Sequence, residues 1–142
     1  WNNLLEQEPQ KFDMGKALDI SHATNNTSFV RDVNEGLTSS DLLAPDPYEL
    51  DPAKIPAMVK VYKTSGEGVG VVFIVSTFNK TEGQAVFQVV FFNLATKEVL
   101  LSQRVVGKPM GFGTRNYWAG AVYSVLKDIR STYAKAWRKQ YK

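Results

Sequence analysis

The chain has 142 residues, 44% hydrophobic and 22% charged, which excludes wholesale disorder, and no apolar run approaches the roughly 20 residues that span a bilayer. It has no cysteine, so disulfides, thiolate catalysis and cysteine-based metal sites are excluded, and its single histidine, His22, excludes a paired-imidazole mechanism. The net charge of +3 hides an asymmetry: residues 1–53 hold ten acidic against three basic residues (−7), and residues 127–142 hold six basic against one acidic (+5).

Residues 1–142 read as one domain, with an acidic part over 1–56 and a sheet-plus-helix part over 57–142. The opening "WNNLLEQEPQKF" suits a short helix stopped near Pro9, and "DMGKALDI" (13–20) reads as a weak strand. Thr27 or Ser28 can cap a helix reaching about Leu37, with Phe29, Val33 and Leu37 on one face. From 38 to 56 the prolines at 45, 47, 52 and 56 remove donors and restrict their neighbours, so at most a turn of helix is expected there.

Four strands are expected next: 57–64, 71–78, 84–94 and 98–106, joined by short turns that force antiparallel pairing. In 84–94 the apolar residues fall on both faces, Phe87, Val89 and Phe91 on one, Val86, Val90, Phe92 and Leu94 on the other. A strand of that kind must be covered on both sides. The last segment repeats apolar residues at Trp118, Val122, Val125, Leu126, Ile129, Tyr133 and Trp137, one stripe of a long helix. The fold class is therefore α+β: an antiparallel meander of four or more strands packed by a long C-terminal amphipathic helix and a shorter N-terminal one. Phe87, Val90, Phe91, Leu126, Ile129 and Trp137 are the expected core, and the acidic residues 1–53 are expected beside the basic final helix.

Candidate chemistry is sparse. His22 sits in the polar "SHATNN" stretch with no acid or nucleophile in a recognisable constellation. Asp41, Asp46, Glu49 and Asp51 lack the spacing and central glycine of a calcium loop. No catalytic, cofactor or metal residue is assigned. "VVGKPMGFGTRN" (105–116) places Gly107, Gly111 and Gly113 between a strand and a helix, near Lys108 and Arg115. Its spacing fits neither a P-loop nor GxGxxG, and Lys108, Gly111, Gly113 and Arg115 stand as a candidate anion or partner contact. Asn25, Asn26 and Asn79 open Asn-x-Ser/Thr triplets, and Trp137 and Tyr141 interleave with basic residues as in single-strand stacking surfaces.

The hairpin "FFNLATKEVLLSQ", followed by a loop and a long helix, resembles the α+β domain of bacterial envelope lipoproteins of the curli-secretion and penicillin-binding-protein-activator type. Those carry Asp-x-x-Thr-Gly-Glu-Val-Leu at the turn; here Asn93 replaces the Asp and Lys97 the Gly, while Thr96, Glu98, Val99 and Leu100 match. The resemblance covers about 57–137 and transfers no functional residue. It implies an exported, non-enzymatic domain, in the periplasm or on an outer-membrane lipoprotein, that works by contact with a protein partner of the envelope. The chain opens at Trp1 without Met, reads as a trimmed or mature fragment, and the resemblance places a lipid-bearing cysteine upstream as the only tie to a membrane. The alternatives are a small-molecule binding or enzymatic domain with a pocket between sheet and helix, and nucleic-acid binding through the basic C-terminal helix, which the resemblance does not lead one to expect.

Overall fold

The computed structural model describes residues 2–140. Those up to Thr27 and from Val106 onward form one compact unit, and Ser28–Val105 form a second.

The second unit is built on a three-stranded sheet in the order β1 (Val69–Asn79), β2 (Gln84–Asn93), β3 (Val99–Gly107), whose last two residues belong to the first unit. β1 and β2 run antiparallel, with Val72 opposite Val90 and Phe73 opposite Val89. The β2–β3 turn is held by Asn93, whose Oδ1 accepts from the N–H groups of Ala95 and Thr96, while its own N–H donates to the Glu98 carbonyl. Lys97 closes the turn at φ +63°, a left-handed conformation that costs a side-chain-bearing residue. Its ammonium donates to the carbonyl of Thr64 at 2.8 Å and also reaches the Thr64 hydroxyl and the Leu94 carbonyl.

Four or more strands are predicted and three are present among the described residues, because the segment expected as a strand over 57–64 is a helix, α5 (Ile55–Lys60). The Asp51 carboxylate accepts from the Ala53 N–H and opens a 3₁₀ turn, Pro52–Lys54, that runs into α5. Pro56 then lies in the first helical turn, where its missing N–H would have had no partner in any case. Burial decides the period: Val59 is fully buried while Val61 is 56% exposed, so the two valines share no face. Ile55, Val59 and Tyr62, spaced by four and three, are the buried set.

α5 and α3 (Ser28–Asn34) cover one face of the sheet. Ile55, Val59, Tyr62 and Leu50 pack with Val72, Ile74, Val90 and Phe92, with Phe29 and Val30 of α3 alongside. The Tyr62 ring lies between those of Phe29 and Phe92, at 5.4 and 6.1 Å. On the opposite face Phe87 and Val89 are also fully buried, so β2 is enclosed on both sides as its composition requires. Phe91, expected in the core, is only partly buried. A bulge between Val75 and Thr77 leaves Ser76 without a strand partner and moves Phe78 to the Phe87 face, where the rings meet edge-on at 6.0 Å. The Ser76 hydroxyl is buried with no hydrogen-bond partner among the described residues. The Pro-rich segment is largely irregular as expected, with one short helix, α4 (Ser39–Leu42), before the 3₁₀ turn. Glu49, at its end, pairs with Arg104 on β3 at 2.7 Å.

The first unit is helical. α1 (Asn3–Gln7) stops before Pro9, and the stretch expected as a strand over 13–20 is instead α2 (Met14–Leu18). Asp13 caps α2, its Oδ1 accepting from the Lys16 N–H at 2.8 Å, and Asp19 ends it in the left-handed region. That cap outweighs a sequence too short to show a helical period. Asn25 donates to the carbonyls of Leu5 and Phe12, and the Glu6 carboxylate accepts from the N–H and hydroxyl of Thr27, so the polar stretch is tied onto α1. The expected long helix is present but interrupted: α6 (Thr114–Asp128), a π-turn (Ile129–Tyr133) and α7 (Ala134–Gln140). Tyr141 and Lys142 lie outside the described residues. The buried residues along it include Val122, Val125, Leu126, Ile129 and Trp137, as the stripe predicts.

Of the acidic first third, only the part up to Thr27 shares this unit with the basic helix. There Arg138 pairs with Asp19 at 3.2 Å and donates to the Leu18 carbonyl at 2.8 Å, a cation on a helix C-terminus.

Candidate functional site

The segment from Lys108 to Gly113 joins β3 to α6, and its ends are fixed by three backbone donors. The Lys108 N–H donates to the Ser124 hydroxyl at 3.3 Å, the Met110 N–H to the Tyr117 carbonyl at 3.1 Å, and the Tyr117 N–H to the Gly113 carbonyl at 2.9 Å. The loop therefore folds back along α6 instead of leading straight into it.

Two glycines make that path possible. A Cβ on Gly107 would stand 2.4 Å from the Ala121 carbonyl oxygen, and one on Gly120 would stand 2.1 Å from that of Met110. Both are closer than non-bonded carbon and oxygen approach, so loop and helix touch backbone to backbone. Gly111 and Gly113 then take φ of +118° and +80°, and the chain turns sharply on either side of Phe112. Phe112 is 96% exposed, the most exposed large hydrophobic residue among those described, and Met110 beside it is 54% exposed.

The four residues singled out from sequence thus serve two purposes. Gly111 and Gly113 set the bend, while Lys108 and Arg115 are exposed cations that make no ion pair among the described residues. Lys108 sits level with Ser124 and Arg115 nine residues earlier on α6, which at 1.5 Å per residue separates their backbones by about 13 Å along the axis. Phe112 lies between the two cations in sequence. The start of α6 has Gly113 at its N-cap and no side-chain cap.

Sequence reading passed over Phe112 and Met110. The signal for Phe112 was "GFG", an aromatic residue between two glycines, where no regular element could bury it. His22 lies exposed, and Asn79 uses its Oδ1 to accept from the Glu82 N–H. Among the described residues no group of three or more His, Asp or Glu side chains is placed to hold a metal ion, and no helix is long and apolar enough to cross a membrane. No family model, curated protein or solved structure matches the chain.

Proposed function

We propose that this chain is a non-enzymatic contact domain of the bacterial cell envelope and that the Lys108–Gly113 loop, with Arg115 just beyond it on α6, carries its contact with a protein partner. One observation carries the reading: Phe112 stands in solvent on a loop whose base is hydrogen-bonded and packed against α6. An exposed aromatic on a floppy segment would be unremarked. Here two glycines in positive-φ conformations that other residues rarely adopt, and two close backbone approaches, hold it outward, which lowers the ordering cost of burying it in a partner's pocket. Lys108 and Arg115 on either side suit an acidic rim around that pocket.

The envelope half of the proposal rests on the hairpin resemblance. Its turn works chemically as the resembled pattern would: Asn93 accepts the two N–H groups an Asp would, and Lys97 adopts the left-handed conformation that a Gly takes at no cost.

A photo-crosslinking amino acid placed at position 112 in the source cell tests both halves. The expected result is a discrete adduct in the envelope fraction, absent when the same group replaces exposed Lys63. Equal, diffuse labelling at both positions would overturn the contact loop, and recovery of the protein in the cytosolic fraction would overturn the compartment.

A further inference from the structure

We propose a second site, independent of the loop: the cleft between the end of α2 and the π-turn binds a small organic molecule through a doubly charged oxyanion, a phosphomonoester. The cleft is open, about 830 Å³, and its wall includes Lys16, Asp19, Ile20, Ser21, Arg130 and Arg138. Three cationic residues and one carboxylate line it, a formal excess of two positive charges around a concavity, where field lines concentrate and an anion is drawn in.

The three cations are not equivalent. Arg138 holds α2 through Asp19 and the Leu18 carbonyl, and its guanidinium keeps further N–H donors. Lys16 and Arg130 make no ion pair or side-chain hydrogen bond among the described residues. The ligand charge follows: two unanswered positive charges match a dianion, and guanidinium forks with the Ser21 hydroxyl match its tetrahedral oxygens. The volume exceeds what one phosphate group fills, and Ile20 offers apolar wall for an attached carbon skeleton.

A second observation points to the same place. Arg130 lies in the π-turn Ile129–Tyr133, and such wide turns inside α-helices are rare and concentrate at functional sites. The turn is not packing damage, since Ile129, Ala134 and Trp137 around it remain buried. It keeps the apolar stripe in register while Arg130 lines the cleft.

The test is a titration of the ¹⁵N-labelled chain, at constant ionic strength, with inorganic phosphate, glucose 6-phosphate and adenosine monophosphate in turn. Expected are saturable amide shifts confined to 15–21 and 129–138. An organic phosphate should bind about ten-fold or more tighter than inorganic phosphate, and the tighter of the two names the attached group as sugar or nucleoside. Arg130→Gln and Lys16→Gln should each weaken binding about five-fold or more, while Lys139→Gln should leave it unchanged. All three side chains are exposed, and an unchanged thermal unfolding curve confirms that the variants fold. Shifts that never saturate, or equal affinity in Arg130→Gln, would overturn the site. Equal affinity for inorganic and organic phosphate would overturn the organic ligand.

Discussion

Replacing Gly120 by Ala should destabilise this protein, although the same change in the middle of an isolated helix stabilises it by about 1 kcal/mol. A Cβ at this position would sit 2.1 Å from the Met110 carbonyl oxygen and 2.8 Å from the Met110 nitrogen. Carbon and oxygen in mutual contact stand about 3.3 Å apart, so the loop backbone must retreat by roughly 1 Å. Nothing flexible absorbs that shift, because the nearest atom belongs to the backbone. The retreat strains or breaks the Met110 N–H to Tyr117 bond, worth about 0.5–1.5 kcal/mol, and overpacking adds about 1–3 kcal/mol. Against the helical gain the net loss is about 1–3 kcal/mol. Urea denaturation followed by circular dichroism measures it, with Gly36→Ala as the control. Gly36 has no atom within 4 Å of its added Cβ and should stay within about 0.5 kcal/mol of the parent chain. A Gly120→Ala chain as stable as the parent would refute the idea that loop and helix touch backbone to backbone, and with it the rigidity attributed to Phe112.

Four further outcomes are expected. Phe87→Ala should cost about 3–5 kcal/mol by chemical denaturation, whereas Phe91→Ala, at a partly buried position, should cost clearly less. Lys97→Met loses the ammonium clamp on Thr64 and keeps the left-handed strain, so its melting free energy should fall about 1 kcal/mol below that of Lys97→Gly, which relieves the strain. Ser76→Ala removes a buried hydroxyl that has no partner among the described residues and should leave stability unchanged or raise it by about 1 kcal/mol in thermal scans. The hydrogen bond from Arg104 holds the Glu49 carboxyl below its ordinary value, so its contribution is present above the usual carboxylate range and lost as pH falls through the lowered value; an acid titration of Glu49→Gln should show a correspondingly shallower loss.

Sequence pattern located β1, β2, β3 and the last helix to within about two residues, because each is either longer than its alternatives or bounded by turn chemistry. It failed at 57–64, where Val59 and Val61 alternating with Met58, Lys60 and Tyr62 satisfied a strand template while Ile55, Val59 and Tyr62 satisfied a helical one. The Asp51 cap and Pro52 and Pro56 are the deciding signal, because they suit the start of a helix as well as a loop. At 13–20 a five-residue helix completes little more than one 3.6-residue turn, too short for an apolar repeat to show, so only Asp13 as a cap could have revealed it. The loop glycines were visible as punctuation, but the need for Gly107 and Gly120 is a packing fact created by residues far along the chain. The cleft was out of reach for the same reason: Lys16 and Arg130 are 114 positions apart.

The division of the chain has a consequence for how it is made. Ser28–Val105 is an uninterrupted segment, so the nascent polypeptide carries everything this unit needs before its final helix exists. The other unit is assembled from the two ends, and α2 finds the π-turn it packs on only after more than a hundred residues have followed it. Such long-range contacts form late and slowly, because the intervening loop must close before any of them forms. If the insert folds first, that loop is already condensed when the last helix arrives. In the interval Leu4, Phe12 and Ala17, all buried in the finished fold, remain uncovered. During synthesis, that early apolar stretch is where a chaperone or a translocation factor would find purchase.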